Sequence, residues 1–136
     1  MSATNLQVVL ASRPAGKAAE SDFRFVEAPV PQPREGELLV RVDWLSLDPY
    51  MRGRMNEGKS YAARVELGEV MVGGTVGTVI ASRHGRFAEG DKVLGTLGWQ
   101  RYAVSDGKGL VKLPDPRLPE TVWLGAAGMP GITAWM

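Results

Sequence analysis

Apolar and polar residues alternate along several short stretches of the chain, the pattern typical of half-buried β-strands. The clearest stretch is ELLVRVDWL, which we expect to form a core strand. Its inward positions would be Leu38, Val40, Val42 and Trp44, and its outward positions Arg41 and Asp43. NLQVVLAS and DFRFVEAP alternate in the same way, and the second would place Phe23 and Phe25 on one face. Three strands are therefore predicted before residue 46.

The rest of the chain repeats this pattern in shorter pieces. The same pattern predicts further strands in VMVGGTVGTVIAS, GDKVLG, QRYAVS and GLVKLP. A short helix is predicted in PETVWLGAA. Residues 53–69 are polar and weakly periodic, which predicts a long surface loop. The chain has 17 Gly and 9 Pro in 136 residues. The predicted fold class is mainly β with short helices, as a barrel or a sandwich.

Composition narrows the possible functions. The formal net charge is +1 and basic residues form no block, which argues against a nucleic-acid partner. No apolar stretch is long enough to cross a bilayer, and no basic start precedes an apolar run, so we expect no membrane association and a cytoplasmic location. With no Cys and one His, the chain offers no familiar zinc ligand set, and no metal site is predicted.

The segment LSLDPYMRGRM follows the predicted core strand and carries the chain's main candidate chemistry. Asp48–Pro49 is typical of a helix start, and Met51 and Met55 would share the core side of that helix. One interpretation is a capped turn at a barrel end, in which Asp48 and Arg52 pair. The other is that Tyr50 points its hydroxyl into a cleft. The residue pattern alone favours the structural interpretation.

Two other features resemble functional motifs, but the residues around them argue against that interpretation. GGTVGT at 73–78 contains glycines, but TVIAS after it is strand-like, whereas a dinucleotide-binding loop opens a helix. Its glycines are expected to permit a bulge or a close strand crossing. His84 lies in a charged turn, so we expect a surface residue and neither a metal ligand nor a base.

In this order, PQPREGELLVRVDWLSLDPYMRGRM, GEVMVGGTVGTVIAS, FAEGDKVLG, GWQRYAVSDG and LGAAGMPGITAW resemble the N-terminal half of the zinc-independent medium-chain dehydrogenases/reductases. The branch is that of prostaglandin, alkenal double-bond and curcumin reductases. The resemblance implies a GroES-like, partly open β-barrel, truncated before a Rossmann domain that holds NADPH. It also implies hydride transfer from NADPH to the carbon–carbon double bond of an α,β-unsaturated ketone or aldehyde.

The resemblance also implies site residues. By match to DPYMR, Tyr50 would line the substrate pocket, and Pro49 would lie near the cofactor. By match to GMPGIT, Met129 and Thr133 would approach the nicotinamide. The tyrosine usually credited with catalysis falls later in the family's chains, so no catalytic residue is assigned here. Arg52 remains a mainly structural residue.

The chain stops within an apolar stretch that looks like a new helix, and we therefore expect it to be a fragment. Residues 1–121 would form the substrate-side domain, and 122–136 would begin the interdomain helices. Trp123, Met129, Ile132 and Trp135 would form an apolar face that favours a homodimer. The alternatives are a non-catalytic β-barrel module that binds a partner through the 53–69 loop, and a subunit that has lost its Rossmann half.

Overall fold

The computed structural model describes residues 4–47, 50–56, 64–113 and 117–124 of the chain. Strands dominate these residues, and the helices among them are short. The strands are β1 Thr4–Leu10, β2 Phe23–Pro29, β3 Leu38–Leu45, β4 Thr75–Ser82, β5 Lys92–Gly95, β6 Tyr102–Ser105 and β7 Val111–Lys112. One α-helix, α1 Tyr50–Arg54, and two 3₁₀ helices, Glu20–Asp22 and Glu120–Leu124, complete them.

The strands form two open antiparallel sheets. β1 and β2 pair along their full length, from Thr4 opposite Pro29 to Leu10 opposite Phe23. The other five strands lie in the order β6-β3-β4-β5-β7. Single bridges from Gln7 to Gln100 and from Val9 to Val70 join β1 to segments beside the larger sheet. The predicted fold class is confirmed, with open sheets.

Two apolar clusters hold these sheets together. The first lies on the five-stranded sheet and consists of Leu38, Val40, Val79, Phe87, Val93 and Leu110. The second lies between β1, α1 and the segment before β4, and consists of Leu10, Met51, Met55, Val65 and Met71. Val65 falls within the predicted 53–69 loop, so that prediction needs correction there: this part of the segment contributes to the core.

A bulge in β3 corrects the prediction for Trp44. Val42 pairs with Gly77, but Trp44 pairs with the next residue, Val76, so Asp43 is an extra residue on β3. Because neighbouring side chains point to opposite faces of a strand, one extra residue reverses the pattern beyond it. Trp44 is consequently 50% exposed, although the alternation had predicted an inward side chain.

Phe23 and Phe25 both lie on the predicted second strand, but they differ in exposure. Phe25 is 73% exposed, whereas Phe23 on the same strand packs against the second cluster. Within the described residues, β2 pairs with β1 alone, so the sheet offers Phe25 no neighbouring strand to cover it. Alternation identified the strand correctly but could not show which of its positions would have a neighbour.

Candidate functional site

The described residues converge at one end of β3, on a group of segments that we call the rim: residues 45–47, the start of α1, residues 73–74 and Leu124. The backbone N–H of Ser46 donates to the carbonyl of Gly74 at 2.9 Å, which joins the first segment to the third. Gly74 in turn lies beside Leu124, because a Cβ on Gly74 would be 3.6 Å from Leu124 Cδ2. Leu47 is 71% exposed and gives the rim an apolar surface.

Helix α1 begins at the rim and is fixed by its methionines. Met51 and Met55 lie four residues apart, so they share one face, and each is only 4% exposed. This confirms that the two methionines face the core. A helix of five residues is not stable alone, so this burial, together with hydrogen bonds from outside the helix, must hold α1 in place.

The structure places Tyr50 as the first residue of α1, at the rim, and describes its backbone. Its side chain lies outside the described part of the structure, as do Asp48 and Pro49. The predicted pairing of Asp48 with Arg52 therefore stays a prediction. The described partners of Arg52 are the carbonyls of residues 14 and 16 and the side chain of Asn56.

The floor beneath the rim is tightly packed at Gly73. A Cβ on Gly73 would lie 2.7 Å from Leu45 Cδ1, 3.1 Å from Met51 Cε and 3.1 Å from Trp99 Nε1. Trp99 also stacks on Phe23, with ring centroids 5.4 Å apart. The close approach at Gly73 involves three side chains before β4 begins, whereas the sequence predicted a bulge or a close strand crossing.

Trp99 is the residue that sequence reasoning missed. Its indole Nε1 is buried and has no hydrogen-bond partner among the described residues. A buried donor is normally paired, so this one marks an unusual position under the rim. The GWQRYAVSDG segment contains Trp99 but gave it no role, because its place depends on contacts with Phe23 and Gly73, which are distant along the chain.

The predicted cofactor residues Met129 and Thr133 lie outside the described residues, so their assignment stays a prediction. Ile132 and Trp135, predicted for the apolar face, also lie outside them. Trp123 is half-buried in the Glu120–Leu124 helix, and its Nε1 is buried without a described partner. Trp123 is therefore not a fully exposed member of such a face.

A charged network anchors the Glu120–Leu124 helix beside the rim. Lys92 Nζ lies 3.0 Å from Glu120 Oε1 and 3.6 Å from Asp43 Oδ2. Asp43 also accepts hydrogen bonds from Thr78 at 2.6 Å and Arg41 at 2.8 Å. Burial alone raises the pKa of Asp43, but these two hydrogen bonds and the charges of Arg41 and Lys92 outweigh it and lower the pKa below its usual value.

His84 lies away from the rim, in the turn after β4. Its ring packs edge-on against Phe87 at 5.2 Å, and its Nδ1 accepts a hydrogen bond from the backbone N–H of Arg86. The histidine is half-buried at the surface, as expected of a structural residue. The described residues contain no group of three or more His, Asp or Glu side chains arranged to hold a metal ion.

The described part of the rim offers an apolar surface but no helix start of the kind that binds a pyrophosphate. Exposed Leu47 supplies the apolar surface, and Gly74 adds backbone without a side chain. A pyrophosphate needs backbone N–H groups at a helix start. In the described ranges, GGTVGT instead runs into strand β4, and α1 is too short for this purpose.

Comparison with known proteins places this arrangement in a family. Residues 6–113 match the family described as the N-terminal domain of oxidoreductase. The chain therefore belongs to this family, and within the medium-chain dehydrogenases/reductases it falls in the branch that contains the curcumin and prostaglandin reductases.

Particular relatives support this membership. The chain is 52% identical over 134 residues to an NADPH-dependent curcumin reductase of Escherichia coli, covering 97% of this chain and 38% of the relative. It is 37% identical over 123 residues to rat prostaglandin reductase 1, covering 88% and 35%. The chain thus spans well under half the length of these relatives.

Solved structures agree with the sequence relatives. CurA from Vibrio vulnificus superposes with a TM-score of 0.91 at 50% identity, over 97% of this chain and 39% of CurA. The complex of CurA with NADPH gives a TM-score of 0.89, over 96% of this chain and 39% of that one. The expected GroES-like N-terminal fold is confirmed by these matches. In the described ranges, no helix is long and apolar enough to span a bilayer.

Proposed function

We propose that this chain forms the substrate-side wall of an NADPH-dependent reductase that acts on the carbon–carbon double bond of α,β-unsaturated ketones or aldehydes. The observation that carries the proposal is the rim, where exposed Leu47 and the first residue of α1 meet beside the Gly74 backbone. Similarity to the curcumin and prostaglandin reductases supports the same reaction class. NADPH is the proposed hydride donor.

The proposed role of this chain is to bind and orient the enone. Apolar groups such as Leu47 would exclude water from the substrate, which strengthens any hydrogen bond to its carbonyl oxygen. We propose that Tyr50, at the start of α1, contacts the substrate, and that Pro49, Met129 and Thr133 approach the nicotinamide. NADPH supplies the hydride, and the phosphates are bound outside the described residues.

A chimera tests this proposal directly. The chain would replace the segment of the E. coli curcumin reductase to which it aligns, which keeps that protein's remaining residues. We expect the chimera to consume NADPH when curcumin is added, and we expect a Tyr50→Phe chimera to show a higher KM or a lower kcat. The unaltered E. coli reductase is the control. A chimera that binds NADPH but never reduces an enone would contradict the proposal.

The alternative is a non-catalytic module that binds a protein through residues 53–69. Met55 and Val65 of this segment are buried in the second cluster, which limits how far either end could reach toward a partner. Pull-down by the chain, lost when residues 57–63 are replaced by glycine and serine, would support that alternative. If the same replacement in the chimera abolishes enone reduction, and the chain captures no partner, the reductase is supported.

We also propose that the complete reductase is a cytoplasmic homodimer. Exposed Trp44 and Leu118 line a groove beside the Glu120–Leu124 helix and add apolar surface that could favour association. Light scattering of the chimera over a range of concentrations tests the dimer. A mass that stays at one protomer throughout would contradict it.

A further inference from the structure

We infer that Arg13 and Arg52 form a reciprocal clamp that positions helix α1, and with it Tyr50, against the connection between β1 and β2. The role of Tyr50 in this inference rests on the proposed function, whereas the clamp itself rests on described contacts. Each arginine donates to backbone carbonyls of the segment that carries the other. The clamp would make both arginines positioning residues of the substrate wall.

The first half of the clamp reaches from the β1–β2 connection to the end of α1. Arg13 Nη1 donates to the carbonyls of Met55 at 2.8 Å, Asn56 at 3.3 Å and Val65 at 3.1 Å. The carbonyls of Met55 and Asn56 follow Arg54, the last residue of α1, so Arg13 fastens the chain just beyond the helix. The Arg13 side chain is only 19% exposed, and its Nη2 lies 3.7 Å from Glu66.

The second half runs in the opposite direction. From α1, Arg52 donates through Nε to the carbonyl of Gly16 at 2.8 Å and through Nη2 to that of Pro14 at 3.1 Å. Its Nη1 donates to Asn56 Oδ1 at 2.7 Å, so the same guanidinium also fastens the end of α1. Only a planar guanidinium offers donors in this fixed fork, and a lysine ammonium could not reproduce it.

The connection that receives Arg52 is itself held rigid. Asp22 is 9% exposed and accepts from the Ser12 hydroxyl at 2.8 Å and from the Ala19 backbone N–H at 2.9 Å. These two hydrogen bonds, with the nearby charge of Arg52, lower the pKa of Asp22 despite its burial. The charged carboxylate of Asp22 therefore ties residues 12, 19 and 22 together at neutral pH. Arg52 attaches α1 to the connection that these hydrogen bonds close.

The clamp matters because α1 has little else to hold it. Its five residues lack the length for a stable helix, and its methionines fix one face without fixing its position along that face. Unbranched Met51 and Met55 can repack if the helix slides. The arginine hydrogen bonds are directional, so they set the position of α1 and of its first residue, Tyr50. A small displacement of a substrate-contacting group is enough to lower turnover strongly.

Amide hydrogen exchange on the 136-residue chain tests the clamp without any activity. The N–H of Val65 donates to Arg54 at 2.7 Å and that of Met55 to Arg52 at 3.2 Å, so both amides report on the end of α1. In Arg13→Lys and Arg13→Met we expect these two amides to exchange about tenfold faster or more, relative to Val40 in the core. The lysine variant keeps the positive charge, so the test can still be made if Arg13→Met does not fold.

Arg83→Met is the matched control, because Arg83 forms an exposed ion pair with Glu35 away from α1. We expect it to leave the exchange of Met55 and Val65 unchanged. If the amides of Met55 and Val65 exchange as slowly in the Arg13→Lys variant as in the unaltered chain, the clamp is overturned.

A double-mutant cycle in the chimera tests whether the clamp acts through Tyr50. Arg52→Lys should lower kcat/KM for curcumin by about tenfold while leaving the KM for NADPH unchanged. In the Tyr50→Phe background the same change should cost much less, because the residue being positioned no longer acts. Equal losses in both backgrounds, or none in a folded Arg52→Lys chimera, would overturn the positioning role. A chimera inactive before mutation would contradict the proposed function, and hydrogen exchange would still decide the clamp.

Discussion

Gly77 of β4 packs directly against the backbone of Arg41 in β3. A Cβ on Gly77 would lie 2.5 Å from the Arg41 carbonyl oxygen and 2.6 Å from Cγ1 of Val40. The first of these atoms belongs to the backbone of a central strand and has little freedom to move. The close pairing of β3 with β4 at this point therefore depends on a residue without a side chain.

Replacing Gly77 with Ala should destabilise the chain by about 1–3 kcal/mol, since the new methyl group would clash with the paired strand β3. Urea unfolding followed by circular dichroism measures this change. Gly53→Ala is the matched control: among the described residues, no atom outside its own helix turn lies within 4 Å of where its methyl group would stand, and Ala favours a helix more than Gly does. We expect Gly53→Ala to be neutral or slightly stabilising. Equal losses for the two variants would contradict the packing argument.

Asp43 should make the stability of the chain depend on pH. Its pKa is lowered in the folded state, so its contribution is present above the unfolded value of about 3.9 and is lost as the pH falls through the folded pKa. Asp43→Asn should cost about 1–3 kcal/mol at pH 7, because Arg41 loses its ion-pair partner and Lys92 keeps only Glu120. The difference from the unaltered chain should shrink in strong acid.

Urea unfolding of both proteins at several pH values measures this difference. Asp22, Glu66 and Asp91 also have lowered pKa values, so the unaltered chain loses stability in acid for several reasons. Comparison with Asp43→Asn isolates the contribution of Asp43. A difference between the two proteins that stays constant from pH 7 into strong acid would show that the charge of Asp43 is not involved.

The strand segments could be predicted from the sequence because alternation and turn residues are local signals. The faces of the strands were harder to predict, since the bulge at Asp43 reverses the pattern and exposes Trp44. A bulge depends on pairing with β4, which lies about thirty residues away, and no local pattern records it.

In the candidate site, too, local signals could be predicted from the sequence and long-range contacts could not. The spacing of Met51 and Met55 predicted their shared buried face, because four residues make about one helical turn. The roles of Arg13 and Trp99 could not be predicted in this way. Arg13 meets carbonyls more than forty residues away, and Trp99 meets Phe23 and Gly73 only after the two sheets pack.

Trp99 should tolerate loss of its N–H better than loss of its ring. Trp99→Phe removes a buried donor that has no described partner and keeps an aromatic ring against Phe23, so we expect a change within about 1 kcal/mol. Trp99→Ala removes the stacking and leaves a cavity, which should cost about 3–5 kcal/mol. Trp44→Ala, at a half-exposed position, should cost less than Trp99→Ala. Unfolding free energies from urea titration rank the three variants.

The isolated 136-residue chain should leave NADPH unconsumed in the presence of an enone. The described residues provide an apolar rim but no backbone cradle for a pyrophosphate, so the hydride donor would not be held beside the substrate. The absorbance of NADPH, followed with the chain and curcumin together, checks this expectation, and the chimera with the E. coli reductase is the positive control. Steady consumption by the chain alone would show that it holds the dinucleotide itself. The division of labour proposed here, in which this chain orients the enone and other residues bind the cofactor, would then be wrong.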